Sequence, residues 1–178
     1  MNTNISLRQI NKLAIPAIIA GISEPILSLT DAAIVGHMSV HATESLAAVG
    51  VVTAFLSMLI WVLGQSRSAI SSIVSQYVGA NKINEVKDLP IQAIAIILLI
   101  SAVVCVITYP FSRSIFSLYN ASGLLLDYSV SYYKIRVIGL PFTLYVFAVF
   151  GVFRGLQNTY YPMIIAITGA TVNILLDF

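Results

Sequence analysis

Long apolar runs alternate with short polar stretches along the whole chain. Five runs fall at about 13–36, 47–76, 89–111, 132–153 and 162–178. Each is close to the roughly 20 residues a helix needs to cross about 30 Å of hydrocarbon. Between them lie His37 to Ser45, Tyr77 to Asp88, Ser112 to Ser131 and Arg154 to Tyr161. Connections this short make successive helices antiparallel. The pattern predicts an all-α, polytopic membrane helix bundle. Its last run spans only about 25 Å at 1.5 Å per residue and stops on Asp177-Phe178 without a polar flank. The expectation is a chain cut inside its fifth helix, belonging to a longer protein.

Composition strengthens this reading. A mean hydropathy of +0.94, with 58% apolar and 9% charged residues, leaves too little polar surface to cover a soluble globule of 178 residues. The basic residues form no block and the net charge is +2, which gives nucleic acid no surface to bind. Cys105 is the single cysteine, so a disulfide within the chain is excluded. Arg8 and Lys12 before an apolar run resemble the start of a signal peptide, yet the run passes Pro16 and Pro25 and reaches Val35, too long for that role. Arg8, Lys12, Lys82, Lys87 and Arg154 fall on one side of the bundle and Arg113, Lys134 and Arg136 on the other. The excess puts the N-terminus in the cytoplasm. Tyr77, Tyr160 and Tyr161 then mark the inner interface, and Tyr109, Tyr119, Tyr128, Tyr132 and Tyr133 the outer one.

Ionisable groups inside such runs are costly and mark function. Asp31 follows Pro16 by 15 residues and Asp177 follows Pro162 by 15. If both helices start from the same face, the two carboxylates rise equally, by about 22 Å. Asn173, four residues before Asp177, shares its helical face. Converging oxygens suit a hard cation such as Na⁺, and paired carboxylates also suit proton uptake. The bland alternative is that each acid pairs with a donor in a packed helix interface. Glu24, seven residues before Asp31, either lines the same cavity or serves as a protonated structural acid. Pro16 and Pro25 each remove an amide donor, which makes the first helix a hinge or gives it static kinks.

Gly64, Ser68, Ser71, Ser72 and Ser75 form a small-residue stripe, which reads as a helix-packing face before a cavity wall. Arg67 stands beside it and either snorkels to the interface or pairs with an acid. His37 and His41 have a two-histidine metal spacing without a third ligand or an intervening Glu. No G-x-S-x-G elbow or Gly-rich phosphate loop occurs, so covalent catalysis has no motif.

Several fragments in order resemble the multidrug and toxic compound extrusion (MATE) family. These are Glu24-Pro25 with Asp31-Ala32-Ala33-Ile34-Val35-Gly36-His37, then Gln76-Tyr77-Val78-Gly79-Ala80. Arg154-Gly155-Leu156-Gln157-Asn158-Thr159 with Pro162 follows, and Asn173 with Asp177 comes last. The Glu-Pro and Val-Gly-His segments look most like the DinF-like branch. The resemblance implies twelve helices in two lobes, of which residues 1–178 hold five of the six N-lobe helices. It implies a secondary antiporter of a cell membrane, the bacterial inner membrane first among these, that exports amphipathic or cationic compounds against H⁺ or Na⁺. It carries a cation site onto Asp31, Asn173 and Asp177 and a helix bend onto Pro16. A C-terminal lobe of the same chain is then a required partner, since alternating access needs two halves.

Three other functions compete. A lipid-linked glycan flippase of related fold calls for a cationic cavity, and Arg67 is the one well-embedded basic residue. An intramembrane aspartyl protease calls for a Gly-x-Gly-Asp signature, whereas Asp177 follows Asn173-Ile174-Leu175-Leu176. A noncatalytic membrane assembly subunit would be indifferent to Asp31→Asn.

Overall fold

The computed structural model describes residues 6–36 and 41–176. The first helix, α1 (Leu7–Gly36), begins six residues before the apolar run that announces it. A capping box explains the early start: the Ser6 amide donates to Gln9 Oε1 at 3.0 Å and the Gln9 amide donates to Ser6 Oγ at 3.3 Å. Two helix-terminal donors are satisfied reciprocally, so the polar turn before the membrane run is helical too.

The second apolar run is two helices, α2 (Ala42–Gly64) and α3 (Ser66–Gly79), divided at Gln65. The third is α4 (Leu89–Thr108), entered through Pro90, where a missing amide costs nothing. The stretch Ser112 to Ser131, expected as a polar connection, is largely helical. It holds α5 (Ser112–Leu118) and the first turns of α6 (Gly123–Arg136). Tertiary contacts account for that difference. Arg113 Nη1 lies 2.9 Å from Asp127 Oδ1, and Phe116 is fully buried. A 3₁₀ turn, Val137–Gly139, leads from α6 into α7 (Leu140–Gly155), and α8 (Tyr160–Leu176) completes the fifth span. Four helical stretches, Leu7–Gly36, Ala42–Gly79, Ile83–Thr108 and Gly123–Gly155, are long and apolar enough to cross a membrane, and α8 is a shorter apolar helix.

The bundle has a three-span centre and a two-helix flank. α7 packs on α3 and α4, and α2 on α6, while α1 packs chiefly on α8. One apolar cluster, around Ile70, Val74, Ile97, Leu140, Leu144 and Ala148, joins α3, α4 and α7. The other joins α2, α5 and α6 through Val52, Phe55, Phe116, Tyr133 and Val137. There Phe116 and Tyr133 meet edge to face at 5.2 Å, and Phe55 stands 5.7 Å from Tyr133. Tyr133, expected in the outer aromatic belt, is instead fully buried, and its hydroxyl donates to Thr108 Oγ1. A ring with a polar tip enters a core only where the hydroxyl finds a partner, and Thr108 supplies it. Elsewhere the bundle turns apolar side chains outward: Trp61 is 77% exposed and Ile91 72%, as lipid-facing positions are.

Backbone approaches fix the direction of the second and fourth spans. A Cβ on Gly64 would lie 2.9 Å from Phe147 Cδ2, one on Gly151 2.6 Å from the Arg67 carbonyl oxygen, and one on Gly155 2.6 Å from Val74 Cβ. Contacts advance together along both chains, so α3 and α7 run parallel, as alternate spans of an up-and-down bundle must. Gly151 and Gly155, spaced by four, form the small-xxx-small face that allows this approach.

Candidate cation site on the first and fifth spans

The turn from α7 into α8 sets the height of the flanking pair. α7 ends with Gln157 in the left-handed region (φ 57°), and the Asn158 amide reaches back to the Phe153 carbonyl oxygen at 2.9 Å. This closes the helix as a Schellman turn does. Asn158 Oδ1 then accepts from the Tyr160 amide at 3.1 Å, capping α8. Between those two caps, the buried Thr159 hydroxyl donates to the Leu13 carbonyl oxygen at 2.9 Å. The bond joins residues 146 apart, and the same separation divides Pro16 from Pro162 and Asp31 from Asp177.

Only six residues of α1 precede Leu13, about 9 Å of helix, so the extensive α1–α8 packing runs onward from this point with both helices in the same direction. Asn173 on α8 therefore comes level with Leu27, one turn or about 6 Å short of Asp31. Asp31 is half-buried and Asn173 exposed. Thr30 beside Asp31 turns its hydroxyl to the Ile26 carbonyl at 3.0 Å, and Thr171 near Asn173 does likewise to Ile167 at 2.9 Å. Those hydroxyls are thus committed to their own helices. Asp177 and His37 lie outside the described residues, as does the Glu24 side chain.

α1 remains helical through both Pro16 and Pro25, each of which deprives a preceding carbonyl of its amide donor. Ser23 donates to the Ile19 carbonyl at 3.3 Å within the same stretch.

Arg67 stands far from Asp31. Its guanidinium lies 4.7 Å from the Phe147 ring centre, and its backbone is level with Gly151, one turn from the end of α7. Asp31 is 18 residues beyond Leu13 on α1. The two are thus separated by about 15–20 Å along the bundle, too far for an ion pair. The small-residue stripe divides in two. Gly64 and the Ser71 backbone meet α7, whereas Ser68, Ser72 and Ser75 are exposed. Its complement on α7, Gly151 with Gly155, carries a spacing signal the sequence reading passed over.

Comparison with known proteins agrees with this architecture. A family model described as MatE matches residues 16–178. DNA damage-inducible protein F of Escherichia coli (strain K12) is 27% identical over 166 residues, 93% of this chain and 36% of its own length. Multidrug resistance protein MdtK of Yersinia enterocolitica serotype O:8 / biotype 1B is 26% identical over 174 residues, 98% of this chain and 37% of its own. A solved MOP superfamily transporter from Pyrococcus furiosus, described as having a binding pocket of reverse polarity that suggests a different function, superposes with a TM-score of 0.83. It is 22% identical over 95% of this chain and 37% of that one, a likeness of fold. The present chain spans a little over a third of each of these relatives.

Proposed function

Because the chain belongs to the MatE family of membrane transporters, we propose that it forms the first part of a secondary antiporter that exports amphipathic or cationic compounds in exchange for H⁺ or Na⁺. Asp31, Asn173 and Asp177 take up the cation. The relatives' names, one of them a multidrug resistance protein, support export of small molecules. The Thr159–Leu13 bond carries the site reading. It sets the parallel helices α1 and α8 at the offset that also separates the two aspartates in sequence.

Cation uptake between the two helices neutralises charge at lipid depth, where an unpaired carboxylate costs several kcal/mol, roughly. The occupied pair packs more closely, and the empty pair carries repulsion that favours the other conformation. Coupling requires this difference, since a cation bound equally well by both states shifts nothing. Pro16 and Pro25 give α1 two positions at which to bend as that balance changes. A second lobe of the same chain completes alternating access. The excess of Arg8, Lys12, Lys82, Lys87 and Arg154 on one side supports a cytoplasmic N-terminus, and the bacterial sources of two relatives support a bacterial inner membrane setting.

Efflux by the full-length protein in vesicles, under an imposed H⁺ or Na⁺ gradient, tests the reading. Asp31→Asn and Asp177→Asn should each abolish gradient-driven efflux. Efflux unaffected by both substitutions would overturn the site.

A further inference from the structure

A second polar feature lies at the opposite end of the flanking pair. The first turns of α1 and the α7–α8 turn form an open cleft of about 840 Å³, where Gln9, Lys12, Arg154, Gln157 and Thr159 stand over an otherwise apolar lining. An adjoining cleft of about 690 Å³ shares Lys12 and Thr159 and adds Arg8. No aspartate or glutamate is among the described residues lining either. The pairs Lys82–Glu85, Arg113–Asp127 and His41–Glu44 lie elsewhere.

Arg154 is half-buried and its Nε is buried without a hydrogen-bond partner among the described residues. The Arg67 backbone meets α7 at Gly151, three residues before Arg154, which brings a second positive residue to the same end of the bundle. Like charges gathered at a partly desolvated site are unfavourable unless an anion completes it. Tyr160 and Tyr161 are exposed beside the cleft, the arrangement of residues at a membrane–water boundary. A phosphate meets each requirement. It brings negative charge, it accepts paired guanidinium N–H bonds, and at this boundary it is carried by lipid headgroups.

We propose that the cleft between the start of α1 and the α7–α8 turn binds a phosphate oxyanion through Lys12 and Arg154, with Arg8 at its outer edge. The oxyanion comes from a phospholipid headgroup or from free phosphate. This site is separate from the acids of α1 and α8, and its occupancy braces the turn that sets their register.

The test uses full-length protein in neutral detergent. Native mass spectrometry counts retained phosphatidylglycerol against phosphatidylcholine, and a thermal shift reads added inorganic phosphate. A wild-type preference for phosphatidylglycerol that falls roughly tenfold in a Lys12→Gln/Arg154→Gln double variant, and survives in Arg113→Gln, identifies a lipid site. A phosphate-dependent thermal shift lost in the double variant, without lipid preference, identifies a free oxyanion. Should the double variant fail to fold, Lys12→Gln alone is expected to show a partial loss of whichever signal the wild type gives. Equal behaviour of wild type and variants in both arms overturns the proposal.

Discussion

The Thr159 hydroxyl donates a 2.9 Å hydrogen bond to the Leu13 carbonyl oxygen and thereby fixes how α8 stands against α1. The contact lies at one end of the helix pair, and Asp31 lies about five turns beyond it on α1. The packing of α1 on α8 continues from Leu13, so a register set there is passed along the pair. Removing the bond should cost about 1 kcal/mol, the usual net worth of such a hydrogen bond. Thr159→Val in the full-length protein is expected to lower the melting temperature and reduce efflux, and Thr159→Ser to retain both. Equal melting temperatures for wild type and Thr159→Val would show that the bond is not what holds the pair.

Gly155→Leu should be among the most damaging changes in the centre of the bundle. A Cβ there already meets Val74 Cβ at 2.6 Å and the Ser71 carbonyl oxygen at 2.9 Å, and a larger side chain forces α7 away from α3. Overpacking of this kind costs about 1–3 kcal/mol. Gly21→Ala is the matched control, because nothing lies within 4 Å of its added methyl and the helix itself gains by about 1 kcal/mol. Melting temperatures of the two variants should therefore move in opposite directions.

Tyr133→Phe keeps the ring against Phe116 and Phe55 but leaves Thr108 without its donor. A loss of about 1 kcal/mol is expected. Phe116→Ala, which empties the fully buried centre of the same cluster, should cost about 3–5 kcal/mol. A thermal series comparing the two separates the hydrogen bond from the packing.

Proline replacement probes α1 as a moving part. Pro16→Ala and Pro25→Ala restore amide donors inside a helix that is continuous through both sites. Each should raise thermal stability and slow transport, because a helix with all its bonds bends less readily. A variant that gains stability and keeps full efflux would assign that proline a static role.

Much of this architecture could be read from residue order alone. Five apolar runs announced the four stretches long enough to cross a membrane and the shorter apolar α8, because burial in lipid demands both length and uniform hydropathy, a signal that survives without any tertiary knowledge. The additions came from interactions local hydropathy does not register. The Ser6–Gln9 capping box draws α1 six residues into polar sequence. The Arg113–Asp127 pair and buried Phe116 make helices of a stretch whose composition reads as a connection. Tyr133 is interfacial by type but buried because Thr108 answers its hydroxyl. For the candidate site, equal distances from Pro16 and Pro162 led to the expectation that Asp31 and Asp177 share a height, and Asp177 lies outside the described residues. The bond joining Thr159 to Leu13 depends on how two distant segments fold together, and no spacing rule could have found it.

The central claim is that Asp31 and Asp177 act on one cation. Full-length protein in vesicles, loaded with a fluorescent cationic substrate and given an inward H⁺ or Na⁺ gradient, should show efflux that follows one of the two gradients. That efflux should be lost in Asp31→Asn, in Asp177→Asn and equally in the double variant, because residues acting as a unit are not additive. Efflux independent of both gradients, or two partial losses that multiply in the double variant, would contradict a shared site.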